Sequence, residues 1–148
     1  MTRAERLPFP LLDELPDALR GVILDFHWNL EHLHALDLPD RTMRTMATND
    51  LAWHLELPFW ADRGQPFQVS PAEVRAYPDR YAEQWSRTMT CDLAYPLDCY
   101  LDPHGRVTVL DGVHRLLKAD VLGWRTVSIH ILRESDLDAI AVPLKRLS

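Results

Sequence analysis

The sequence predicts an α/β (α+β) fold: a small mixed sheet with flanking helices, preceded by an N-terminal helical extension. Three observations carry this. Residues 96–101 and 106–110 read as strands on either side of the turn Asp102-Pro103-His104-Gly105, and residues 126–132 alternate as a further strand. The stretch Val109-Leu110-Asp111-Gly112-Val113-His114-Arg115-Leu116-Leu117-Lys118-Ala119 reads as a strand running straight into a helix. Near the N-terminus, Leu19, Val22, Ile23, Phe26, Leu30 and Leu33 recur at helical spacing.

In chain order, Pro8 and Pro10 keep the first residues extended, and Pro16 suits the first turn of a helix of about five turns. That helix stops near residues 36–39. Residues 41–47 carry a weak strand pattern. Thr48-Asn49-Asp50 supply capping groups for a short helix over residues 51–55, which Pro58 breaks. The aromatic run Glu56-Leu57-Pro58-Phe59-Trp60 reads as a pocket wall or a lid. Ser70-Pro71-Ala72-Glu73 is a capping box with proline in the first turn. A second helix follows Pro78 through Tyr81 and Trp85 towards Thr88. The motif helix covers residues 113–122 and ends at Gly123. One more short helix closes the chain. The expected division is residues 1–40 as helical extension and residues 41–148 as the main domain.

With 148 residues the chain can bury a sizeable core. Its 16 basic and 22 acidic side chains give a net charge of −6. That argues against broad DNA or RNA binding, which needs a basic face. The longest apolar stretch, residues 19–33, is interrupted by charges, so no membrane span is expected. The charged residues at the very N-terminus do not resemble a signal peptide, and the expected compartment is cytoplasmic. Cys91 and Cys99 fit neither a disulfide framework nor a zinc site.

The turn at 111–115 gathers the chemistry. The first N–H groups of a helix have no partners within it, and together with the helix dipole they attract anions. Gly112 lets a ligand approach the backbone closely. His114, Arg115 and Lys118 could neutralise a di- or triphosphate, with the Val113 backbone beside them. The same residues also fit a surface helix with Asp111 as its N-cap. Beside a phosphate, however, a carboxylate is repulsive, so Asp111 makes sense as a magnesium ligand or as the base for an incoming hydroxyl. Elsewhere, His27, His32 and His34 lack the spacing of a zinc hydrolase and read as surface or half-buried. His130 could face either way. Arg87 and Asp92 flank the entry to the sheet. Trp53, Phe59, Trp60 and Phe67 could stack a nucleobase or belong to the core. No Walker A loop, serine elbow or dinucleotide glycine pattern is present.

Residues 93–132, with Asp111-Gly112-Val113-His114-Arg115 at their centre and Leu122-Gly123-Trp124 after the helix, resemble the ParB/sulfiredoxin superfamily. The resemblance implies ATP, ADP or CTP held near Gly112, His114 and Arg115. Sulfiredoxins carry a reactive cysteine where this chain has Val113, so sulfinate repair is not expected. ParB partition proteins carry a Glu-Arg-Arg turn and continue into DNA-binding and dimerisation segments, so DNA partitioning is not expected either. The turn is most similar to that of free serine kinases, which place a glutamate after a histidine near the first strand. His54-Leu55-Glu56-Leu57-Pro58 resembles that feature, implying Glu56 as a base and His54 and Trp60 as substrate-binding residues. The expected activity is phosphoryl transfer from a nucleotide, with Mg2+, to a small hydroxyl compound, a free amino acid such as serine being one candidate. A non-catalytic nucleotide-binding module and a nuclease are the alternatives. A homodimer stays open.

Overall fold

A computed structural model describes residues 5–144; residues 1–4 and 145–148 lie outside the description, including Arg3 among the N-terminal charges read against a leader peptide. The described helices are α1 (Leu30–His34), α2 (Thr48–Leu51), α3 (Pro71–Ala76), α4 (Ala82–Thr90), α5 (Val113–Val121) and α6 (Glu134–Ile140). The strands are β1 (Met43–Ala47), β2 (Trp60–Asp62), β3 (Gln65–Val69), β4 (Leu97–Leu101), β5 (Val107–Asp111) and β6 (Thr126–Ile131). β1, β6, β4 and β5 form one mixed sheet in that order, and β2 and β3 form a separate hairpin. β6 runs antiparallel to β1 and parallel to β4, while β4 and β5 are an antiparallel pair.

Alternation along the strands gives the sheet two apolar faces. Leu97, Cys99, Val109, Val127 and Ile129 pack against Leu116, Leu117 and Ala119 of α5, with Leu51 and Val74 alongside. Tyr100 belongs to a second cluster with Leu24, Phe26 and Leu33 of the N-terminal segment and Leu137 and Ile140 of α6. The Tyr100 hydroxyl donates to the Val22 carbonyl, fastening that segment to the sheet.

The five-turn N-terminal helix is not formed. Two 3-10 turns, Leu12–Glu14 and Asp17–Leu19, and the five-residue α1 replace it. Between them the chain is extended, with isolated bridges from Phe26 to Pro8 and from Trp28 to Ala141. Apolar residues of this stretch also satisfy a period of two: Val22, Leu24 and Phe26 are buried while Gly21 and Asp25 are exposed. Gly21, at φ 77°, ends any helical run before it can pass Arg20.

Two further expectations change. Thr48 lies inside α2 and caps nothing; its hydroxyl donates to the Trp124 carbonyl at 2.7 Å. The aromatic segment after Pro58 enters the β2–β3 hairpin, whose two-residue turn is Arg63-Gly64, at φ 50° and 78°. Both residues are left-handed, as a type I′ turn requires. The capping box at α3 forms in both directions: the Ser70 hydroxyl accepts from the Glu73 N–H, and the Glu73 carboxylate accepts from the Ser70 N–H.

Candidate functional site

On the side of the sheet covered by the N-terminal segment lies a cavity of about 850 Å3. Its floor is one row of residues across three neighbouring strands. His130 of β6 pairs with Asp98 of β4, and Asp98 pairs with Asp111 at the end of β5. A bulge makes this row. Asp98 pairs with Asp111 but Cys99 pairs with Val109, so Leu110 is the extra residue. Simple alternation would point Asp111 the same way as Val109, into the core; the bulge re-aims it onto the face of Asp98.

Three basic side chains and two walls surround the two carboxylates. Arg115 lies one turn into α5, with its Nη2 3.3 Å from the Asp111 carboxylate. His34, at the end of α1, places Nε2 3.7 Å from the same carboxylate. His130 Nδ1 is 3.8 Å from Asp98 Oδ1. Leu30, Leu33 and Leu36 form an apolar wall, and Cys91, Asp92, Tyr95 and Pro96 a loop wall. Burial, with the Asp111 charge adding to it, raises the Asp98 pKa above the usual carboxylate range. A carboxylate so placed is a stronger base than one in water.

The motif is split between this cavity and the body of the fold. Asp111 and Arg115 line the cavity. Gly112 is the N-cap of α5 at φ 121°, and a Cβ there would lie 2.7 Å from Leu97 Cδ2 and 3.0 Å from Arg115 Nη2. Only glycine fits both the conformation and the space. Val113 opens the helix and packs against the core beneath. His114 turns away from the cavity lining. Its ring stacks on Trp60 at 4.3 Å, and its Nε2 is 2.8 Å from Gln84 Oε1. Desolvation, reinforced by the Arg87 charge, lowers the His114 pKa to about 4, so it does not supply the positive charge expected of it. Lys118 is also outside the lining; its ammonium donates to the Cys91 carbonyl at 2.7 Å. Arg115 donates to the Pro96 carbonyl, also at 2.7 Å. The two cations thus hold both ends of the loop over residues 91–96 that walls the cavity.

The residues expected from the His54–Trp60 stretch do not join the site. His54 is fully buried. Its Nδ1 hydrogen-bonds the Leu51 carbonyl at 2.8 Å, and its Nε2 accepts the Val109 N–H at 2.9 Å. β5 is an edge strand, and this bond satisfies one of its outward N–H groups. Desolvation lowers the His54 pKa to about 4, so it stays neutral and structural, and it cannot touch a substrate. Trp60 is 8% exposed and backs the motif through His114. Glu56 is exposed at the end of a 3-10 turn and is not part of the lining that holds Asp111.

Asp98 was missed as a site residue, and His34 and His130 were not joined to the turn. The signal for Asp98 was a single acid in the strand Leu97-Asp98-Cys99-Tyr100-Leu101, on the same parity as the buried Tyr100. His34 is brought in only by the fold of the N-terminal segment. Among the described residues no group of three or more His, Cys, Asp or Glu is arranged to hold a metal ion. No described helix is long and apolar enough to cross a membrane. Comparison with family models, curated proteins and solved structures finds no match to this chain.

Proposed function

We propose that this cavity is the active site of a nucleotide-dependent phosphotransferase acting on a small hydroxyl compound. The observation that carries the reading is the row Asp111–Asp98–His130 beside Arg115, at the strand end that leads into α5. A base and a cation then meet at one place, next to the first turn of α5. The resemblance of the Asp-Gly-X-His-Arg turn to free serine kinases supports the same class. The volume of about 850 Å3 is within the range of small-molecule and cofactor sites.

The first N–H groups of α5 and the Arg115 guanidinium bind the transferred phosphate and offset its charge. Asp98 takes the proton of the acceptor hydroxyl as the oxygen attacks phosphorus. The nucleoside diphosphate leaves if ATP or CTP is the donor, and the nucleoside monophosphate if ADP is. His130, beside Asp98 Oδ1, receives or stabilises that proton. The apolar wall of Leu30, Leu33 and Leu36 keeps water from competing as acceptor. Phosphoryl transfer demands positioning and charge stabilisation more than covalent chemistry, which suits this set.

Four aspartates line the cavity, Asp37, Asp92, Asp98 and Asp111, against the single arginine. A bare polyphosphate would be repelled; its magnesium complex would not. Magnesium needs only one or two carboxylates when phosphate oxygens and water complete its octahedron. Asp111, with Asp98 opposite, fits that requirement. Bound there, the ion would neutralise charge on the phosphates.

A second reading, a nucleotide-binding module without turnover, is favoured by one observation: His114 and Lys118 are committed to holding the fold. Calorimetric titration of ATP, ADP and CTP, with and without magnesium, tests both readings. Magnesium-dependent binding weakened by Arg115→Ala supports them. Absence of binding to every nucleotide removes both.

A further inference from the structure

A second, smaller cavity of about 320 Å3 lies against β1 and β6, and it shares Tyr95 and Arg115 with the first. Its lining differs in kind. Thr45, Thr126 and Ser128 line it from the paired strands, with Thr45 directly opposite Ser128. Trp124, Arg125, Tyr95 and Arg115 complete its polar lining. None of the lining residues is an acid, although the chain carries a net charge of −6 and four aspartates line the neighbouring cavity.

The polar lining side chains other than Arg115 are exposed, and a ligand there would take the place of water on them. Among the described residues the side chains of Thr45, Tyr95, Trp124, Arg125, Thr126 and Ser128 have no hydrogen-bond or ion-pair partner in the protein. A guanidinium and an indole N–H can only donate, and the hydroxyls can donate as well. A lining with one unpaired arginine and no carboxylate matches a ligand made of acceptors with negative charge; Arg115 is already held by Asp111 and the Pro96 carbonyl. Most arginines near a carboxylate in this protein are paired with one, as Arg106 is with Asp102 and Arg133 with Asp136. Arg125 is free for a ligand.

We propose that this cavity is an oxyanion-binding subsite, with Arg125 as the ion-pairing group and Thr45, Thr126 and Ser128 as hydroxyl donors. The ligand is a small molecule carrying a carboxylate or a phosphate. The common wall at Arg115 places that molecule next to the Asp98–Asp111 row. The inference rests on the lining of this cavity and not on the phosphotransferase reading, so either can fail without the other.

The test is a backbone and arginine side-chain NMR titration with inorganic phosphate in one arm and glycolate in the other. One of the two anions should shift Arg125 Nε and the amides of Thr45, Thr126 and Ser128 saturably, and the arm that saturates first identifies the oxyanion. Arg125→Gln should weaken that binding at least about tenfold, as loss of a charged hydrogen bond does. Arg44→Gln, an exposed arginine of β1 outside the lining, should leave it unchanged. Both substitutions are on the surface and leave the core intact. Saturable shifts confined to Asp98, Asp111 and His130, no saturable shift in either arm, or equal weakening by the two variants would each overturn the proposal.

Discussion

Asp98 and Asp111 face one another across the antiparallel pair β4–β5, brought to the same side of the sheet by a bulge at Leu110. Two acids at adjacent sheet positions repel each other, and burial adds to the cost. Arg115 beside Asp111 and His130 beside Asp98 offset part of it. Such an arrangement costs stability and suits chemistry better than architecture.

Asp98→Asn tests that cost. Burial first, and then the Asp111 charge, raise the folded-state pKa of Asp98 above its value in the unfolded chain. The folded protein therefore holds this proton more tightly, and stability falls as pH rises through the window between the two values. Urea denaturation across acidic pH should show that loss in the native protein. In the variant this contribution should vanish, leaving stability at neutral pH equal or higher.

His54 works in the opposite direction. Its pKa is lowered from 6.5 to about 4 by desolvation, so the fold favours the neutral ring. The stability it contributes is complete above pH 6.5 and is lost as pH falls towards 4. His54→Phe keeps a ring in place but leaves the Val109 N–H buried without its acceptor. The expected loss is about 1–3 kcal/mol in chemical denaturation at neutral pH. It should be accompanied by a weaker acid dependence between those pH values.

Gly112→Ala forces a side chain into a left-handed conformation at φ 121° and against Leu97 and Arg115. The conformational strain alone costs about 1–3 kcal/mol. Because the added methyl meets the Arg115 guanidinium, nucleotide binding should fall by more than the stability loss explains. Calorimetric affinity measured well below the melting temperature separates the two effects.

Where one local pattern allowed one outcome, the sequence was readable. The hairpin 97–111, the glycine turn, α5, the α3 capping box and β6 all follow from period, turn residues and caps. The N-terminal segment failed because Val22, Leu24 and Phe26 satisfy a period of two as well as part of a helical one. Their contacts with Tyr100 and α6 decided the matter. The β2–β3 hairpin hid behind an Arg-Gly turn that lacks the usual asparagine or aspartate signal. At the site, Asp111 and Arg115 were legible from the motif. Asp98 and His130 depend on strand register, and His34 on how a segment sixty or more residues away folds back, so spacing along the chain could not assemble them. His54 and Trp60 were misassigned because a histidine serving a strand edge and one serving a substrate look alike in sequence.

In the proposed reaction Asp98 accepts the proton of a hydroxyl undergoing phosphorylation in the larger cavity. Phosphorus NMR of the protein incubated with magnesium, ATP, ADP or CTP, and a panel of small hydroxyl compounds that includes free serine tests it most directly. A phosphomonoester signal is expected with the native protein. Asp98→Asn should lose that signal while still binding the nucleotide. No phosphomonoester with any acceptor, or turnover by Asp98→Asn at the native rate, would contradict it.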